Sequence, residues 1–223
     1  MAAAITGRRL SASTESFYPG GGTMNGKRYW EIGGFIAGGV LVVFGVAAIF
    51  LGANGYTTTR DAIKDEGITF GTADDPAVAK HASQWAGEQV TTGDQARAFA
   101  KIMREHTLEG SGGLTYAQMG RFQSAANPDD PAGTSDEAAA AKDESGQPIA
   151  NGARNTWVTE TALTTALNMS YMAERLAVFG LVVGVALLLT GIGLVILAFA
   201  VFGRRVPATE TYGVKTGAAV PTV

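Results

Sequence analysis

The side chains able to do chemistry are few. The 223-residue chain has two histidines, His81 and His106, and no cysteine. Without cysteine there are no disulfides, thiolate zinc sites, iron–sulfur clusters or cysteine nucleophiles. Two histidines cannot build a three-histidine metal site within one chain. Two histidines and one carboxylate can hold non-haem iron, but both imidazoles would have to converge, with Glu105 or Glu109 as the third ligand. GxSxG, Walker A, HExxH and CxxC patterns are absent. The Gly-rich pieces 20–22 and 110–113 do not lie between a strand and a helix, which argues against a phosphate cradle. Acidic pairs occur at Asp74-Asp75, Asp129-Asp130, Asp136-Glu137 and Asp143-Glu144, without EF-hand spacing. They read as caps and turns. The expectation is a protein without catalytic residues, cofactor or metal.

The elements around these residues are short helices. Thr57 to Glu66 reads as helical, with Gly67 as its stop, and Ile68-Thr69-Phe70 as a short extended piece. Asp74-Asp75-Pro76 is a helix start, with an acidic cap and proline in the first turn. Val78, Ala82 and Trp85 make its apolar stripe, and His81 adjoins that stripe. Thr92-Gly93-Asp94 starts a second helix running to about Glu109. Ala96, Phe99, Ile102, Met103 and His106 are its expected inner face. Gly110 to Gly113 break it, and Leu114-Thr115-Tyr116 leads into a short turn. Residues 124–152, rich in Ala, Asp, Glu, Pro, Gly and Ser, read as an acidic, low-complexity loop or linker. From about Asn155 to Gly203 one continuous helix is expected. Roughly 30 Å of it, at 1.5 Å per residue, would stand as a stalk above a membrane. Trp157, Leu163, Leu167 and Tyr171 would offer their faces to the small helices. The expected core of this domain is Trp85, Phe99, Met103, Tyr116, Trp157 and Tyr171.

The membrane enters through two uncharged runs, Ile32–Ala53 and Leu176–Gly203. Each exceeds the about 20 apolar residues that span a bilayer. The chain is 46% hydrophobic and 17% charged, short of the usual quarter of charged residues. Arg8, Arg9, Lys27 and Arg28 precede the first run, and Arg204, Arg205 and Lys215 follow the second. The segment between is strongly acidic. The positive-inside rule then places both tails in the cytoplasm. Trp30 and Tyr56 fall at the two boundaries of the first run. Leu51-Gly52-Ala53 is a poor cleavage site, so that run reads as a retained span. The resulting architecture is an all-α membrane protein, a two-span hairpin with a mainly helical extracytoplasmic domain packed on a long extension of the second helix. Its parts are a flexible tail (1–29), a first span (30–53), the external domain (54–175), a second span (176–203) and a second tail (204–223). Neither uncharged run, Ile32–Ala53 or Leu176–Gly203, holds an ionisable residue, which argues against transport. The net charge of −3 argues against nucleic-acid binding.

Glycines stripe both spans. Gly34 and Gly38 are four apart, and Gly38, Gly45 and Gly52 step by seven. Gly180 and Gly184 form GxxxG, and Gly184 to Gly191 is another step of seven. Such faces let backbones approach, either between the spans or between copies.

Several segments in order carry a resemblance. They are Ile68-Thr69-Phe70-Gly71, Trp85-Ala86-Gly87, the run Gly113 to Arg121 (GLTYAQMGR), Arg154-Asn155-Thr156-Trp157, and the run Asn168 to Gly180 (NMSYMAERLAVFG). Over residues 31–203 the chain resembles a family of small two-pass membrane proteins of high-GC Gram-positive bacteria (actinobacteria), of uncharacterised function. Its members often carry the label aromatic ring-opening dioxygenase. The resemblance implies architecture and a cell-membrane location, and no catalytic residues. The label fits the chemistry poorly, because it needs both histidines in one iron site. The expected function is a non-enzymatic accessory or scaffold component of a cell-envelope membrane complex. Its partners would be the bilayer and a protein, or itself, through the glycine-striped helices. The alternative is an extracytoplasmic ligand-sensing module.

Overall fold

The computed structural model describes residues 23–202. They form four α-helices and no strand: α1 (Thr23–Asp65), α2 (Pro76–Ala82), α3 (Gly93–Gly110) and α4 (Gly152–Phe202). Helix α1 over Ile32–Asp65 and α4 over Gly152–Ala200 are long and apolar enough to cross a membrane. Helix α1 starts at Thr23, inside the stretch expected to be a tail, and runs unbroken into the segment from Thr57 that reads as helical. No proline interrupts it, and its first breaker with positive φ is Gly67. Arg8, Arg9, Arg204, Arg205 and Lys215 lie outside the described residues, as do the side chains of Lys27, Arg28 and Trp30.

The chain divides into two compact units, and α1 and α4 contribute to both. In the unit built from residues up to 41 and from 190 onward, a Cβ on Gly38 would lie 2.8 Å from the carbonyl oxygen of Gly191. Gly34 there faces the methyl of Ala198, and Phe35 meets Phe199 edge to face at 4.7 Å.

In the unit spanning 42–189, α1 and α4 run antiparallel. A Cβ on Gly45 would sit 2.6 Å from Leu188 N and 2.8 Å from Gly184 O. One on Gly52 would sit 2.9 Å from Ala177 O. These distances lie below van der Waals contact, so only glycine permits the approach. Gly180 has ordinary spacing, 3.7 Å to Gly52 Cα.

The same unit carries α2 and α3. Asp75 caps α2 by accepting from Ala77 N (2.8 Å) and Val78 N. Thr92 and Gln95 form a capping box that opens α3. Before α2 and after it, the chain pairs once. Phe70 N donates to Glu88 O and Val90 N to Ile68 O, around a Thr69–Gln89 bridge. Phe70, Val78, Ala82, Val90, Ala96, Ala100 and Ile102 form the core, joined by Ile63 of α1 and Leu167 of α4. Alanine and valine make up most of it, around Phe70, which meets the rings of Trp85 and Phe99.

The expected aromatic core is redistributed. Trp157 is buried, while Trp85, Phe99 and Met103 pack half-buried at the core's edge. Tyr116 is 44% exposed, because it stands on a surface turn beneath the Arg154 guanidinium, 4.1 Å from its ring. Tyr171 is half-buried between Arg97 and Arg175. Leu163 is 48% exposed, on the rim it shares with Met103 of α3. His106 is likewise exposed and not on the inner face of α3, since a polar partner outside the core holds it.

Residues 124–152, expected to be a loop or linker, are irregular and mostly exposed, and their backbone pairs with itself and with Phe122. Phe122 bridges both Thr134 and Ala150, Ser124 bridges Ala140, and Lys142 bridges Pro148. Gly133, at φ +57°, lets Phe122 O and the Asn151 amide approach to distances no Cβ would allow. Backbone pairing substitutes here for a hydrophobic core, and composition gives no sign of it.

Candidate functional site

Both histidines lie against carboxylates where α2 and α3 meet. His81 Nε2 lies 2.7 Å from Glu105 Oε2, and Lys80 Nζ lies 3.0 Å from both oxygens of the same carboxylate. His106 Nε2 lies 3.0 Å from Asp75 Oδ2. Two acid–base contacts thus cross between α2 and α3. The imidazoles bind different carboxylates, and among the described residues no group of three or more His, Asp or Glu could hold a metal ion. The Lys80 and His81 contacts hold the Glu105 carboxyl below its ordinary range. The His106 hydrogen bond does the same for Asp75, helped by its two backbone donors.

The acids of the 119–151 segment act as turn caps. Asp130 accepts from Ala132 N and Asp136 from Ala138 N. Asp143 accepts from the Ser145 hydroxyl at 2.7 Å and from the backbone of Ser145 and Gln147, and these bonds lower its pKa.

Three polar junctions fasten this layer to α4. Glu174, 5% exposed, accepts from Gly93 N at 2.8 Å and from Arg60 Nε at 3.3 Å. A carboxylate thus sits at the positive end of α3, with a cation from α1 beside it. Arg175 pairs with Asp94 in the same turn. Farther along, Trp157 Nε1 donates to Leu114 O (2.9 Å) and to Ser111 Oγ, with Arg104 over the indole at 4.5 Å. Asn151 caps α4 through Oδ1 and donates from Nδ2 to Gly120 O and Pro131 O.

Glu160 is, with Glu174, a second buried carboxylate on α4, at 2% exposure. Its Oε2 lies 3.6 Å from Arg104 Nη1 and accepts from the Thr161 hydroxyl at 3.4 Å, while Oε1 has no hydrogen-bond partner among the described residues. An unsatisfied buried carboxylate oxygen costs about 1–3 kcal/mol, which the Arg104 cation offsets in part.

Beside these junctions lies an apolar cavity of about 360 Å³. Ile63 and Ile68, Met103 of α3, and Leu163 and Leu167 of α4 line it, with Glu66 at its polar side.

Of the residues singled out from sequence, Gly38, Gly45, Gly184 and Gly191 meet across α1 and α4, and Gly34 and Gly180 lie in ordinary contact. Sequence reasoning missed Glu174, Glu160, Asn151 and Ser111. One signal was present: Glu160 and Glu174 are the only charges between Arg154 and Arg175, and both share the face of Trp157 and Leu167. No family model, curated protein or solved structure matches the chain.

Proposed function

We propose that the chain is a non-enzymatic, two-pass protein of the cell membrane that serves as an accessory or scaffold component of an envelope complex. In this reading α1 and α4 cross the bilayer as a hairpin with both termini in the cytoplasm. Residues 54–175 form the extracytoplasmic domain. The observation that carries it is the commitment of both histidines and of Glu174 to contacts between helices. Chemistry is thereby traded for rigidity. Exposed Val43, Phe44 and Phe50 of α1 and Val182 and Leu189 of α4 suit lipid. The glycine faces are occupied by the α1–α4 contact, so a partner would meet other surfaces. The basic tails support the orientation.

Two measurements on the full chain test this. Ser145→Cys should label from outside intact cells, and Ser11→Cys and Thr216→Cys only after the membrane is opened; the reverse refutes the topology. Crosslinking in the membrane, followed by mild-detergent pull-down, should recover a larger partner at fixed stoichiometry. Recovery of the chain by itself refutes the accessory role.

The apolar cavity favours one second reading, a module binding an apolar ligand beside α4. It predicts that such a ligand raises the melting temperature of the full chain in proportion to its free concentration.

A further inference from the structure

Positive charge is concentrated in one place. The segment 54–175 is strongly acidic, yet half of its basic residues, Lys80, Arg97, Lys101, Arg104 and Arg175, gather around α2 and the outer face of α3. Arg97, Lys101 and Arg104 follow one another at steps of four and three along α3. Like charges at that spacing repel, so the face calls for acids to balance it. The acids within reach are already engaged. Asp94 meets Arg175 through both carboxylate oxygens. Glu105 holds Lys80 and His81, and Glu160 lies beside Arg104. Arg97 and Lys101 are left over. Arg97 lies over the Tyr171 ring at 4.7 Å, with no carboxylate on it. Lys101 is exposed and has no ion pair among the described residues.

Both cations line a cleft of about 400 Å³, together with His81, Gln84, Trp85 and Asp94. The walls of that cleft are held from behind. Trp85 is stacked on Phe70 at 6.0 Å, and His81, Asp94 and Arg97 are fixed by Glu105, Arg175 and Tyr171. A guanidinium fork and a lysine ammonium together suit the several oxygens of a phosphate. A phosphate monoester carries about −1.5 to −2 charge at neutral pH, which balances two free cations. A single carboxylate leaves one of them unbalanced. The indole of Trp85 and the amide of Gln84 suit the carbon and hydroxyl part of such an ester.

We propose that this cleft binds a phosphate monoester, with Arg97 and Lys101 as its anchors. Two sources share that chemistry, a soluble ester and a lipid headgroup. Arg175, which holds Asp94 at the cleft, directly precedes the apolar run at Leu176. On the membrane reading proposed above, the cleft therefore lies close to the headgroups. The anchors do not depend on that reading, whereas the lipid source does.

The full chain in mild non-ionic detergent is titrated with glycerol 3-phosphate and followed by thermal unfolding. Sodium acetate at the same ionic strength is the control. The phosphate should raise the melting temperature in step with its free concentration, and acetate should not. Arg97→Gln with Lys101→Gln should weaken the apparent affinity at least about tenfold, because charge-assisted hydrogen bonds are lost. Arg121→Gln with Lys142→Gln removes the same charge from exposed positions elsewhere and should leave the affinity unchanged. Lys101→Gln by itself breaks no ion pair of the fold, so it tests the same anchor should the double variant unfold. For the lipid source, the chain is placed in phosphatidylcholine vesicles with a minor share of phosphatidic acid and examined by native mass spectrometry. Retention of phosphatidic acid above its share, lost in the Arg97 and Lys101 variant, assigns a headgroup. Glycerol 3-phosphate binding without such retention assigns a soluble ester, and both results uphold the cleft. No binding in either arm, acetate as effective as the phosphate, or an equal loss in the Arg121 and Lys142 variant overturns the proposal. Chain that does not enter the vesicles refutes the membrane reading and leaves the glycerol 3-phosphate titration to decide the cleft.

Discussion

Replacing Gly93 by alanine sets two principles against each other. Gly93 is the first residue of α3 and has no positive φ. Helix propensity alone makes Ala better there by about 0.5–1 kcal/mol. In the folded chain, however, a Cβ at Gly93 would lie 2.9 Å from Tyr171 Cα and 3.2 Å from Glu174 Cβ. The nearer atom is backbone in the middle of a long helix and cannot step aside. Helix α3 must back away instead. Overpacking of this kind costs about 1–3 kcal/mol. The retreat also misaligns the Gly93 N–H with the Glu174 carboxylate, a charge-assisted bond worth about 1.5–3 kcal/mol. These losses overlap, and propensity returns part of them, so Gly93→Ala should destabilise by about 2 kcal/mol. Gly110 closes the same helix with nothing within 4 Å of its would-be Cβ. Gly110→Ala should be neutral or stabilising by up to about 0.5 kcal/mol. Denaturant unfolding of the full chain in detergent, followed by far-UV circular dichroism, measures both. Amide exchange at Gln95 and Ala96 locates the effect. A Gly93→Ala protein as stable as the parent, or stabilised alongside Gly110→Ala, would refute the docking of α3 on α4.

The remaining predictions use the same preparation. Gly45→Ala should lower stability by about 1–3 kcal/mol, because its Cβ would meet the Leu188 and Gly184 backbone. Gly39→Ala, with nothing within 4 Å, should not, and equal effects would argue against close α1–α4 packing. Trp157→Phe keeps a ring but removes the donor to Leu114 O and Ser111 Oγ. A loss of about 1–2 kcal/mol is expected, with faster exchange in residues 111–115, and no change would show those bonds to be incidental. Asp75 and Glu105 have folded pKa values below their ordinary ones. Their contribution is therefore present above the unfolded pKa and is lost as pH falls through the folded one. Stability should drop below about pH 4, and Asp75→Asn with Glu105→Gln should flatten that drop. An undiminished acid slope in the double variant would refute the assignment.

The helices were legible wherever a local rule governs them. Asp74-Asp75-Pro76 marks the start of α2, and Thr92-Gly93-Asp94 the start of α3, because caps are set by neighbours a few residues apart. Asn155 onward reads as one helix because no breaker intervenes, and the structure begins it at Gly152, just beyond the Asn151 cap. The 119–151 segment was not legible. Its bridges join residues such as Phe122 and Ala150, far apart in sequence and carried by backbone atoms common to all residues. The histidines were half legible. Their place on α2 and α3 follows from periodicity, but the choice of Asp75 for His106 depends on how those helices cross.

The sequence by itself determined the starts of α2 and α3, the continuity of α4, the two apolar lengths and the glycine spacing, because these follow from local caps, breakers and hydropathy. Tertiary structure decided that glycines 45 and 52 face α4 within this chain and that Glu174 holds the start of α3. It also decided that the exposed Tyr116 contributes nothing to the core. Pairing between distant segments depends on the shape of both partners at once, and the spacing of residues along one of them does not specify it.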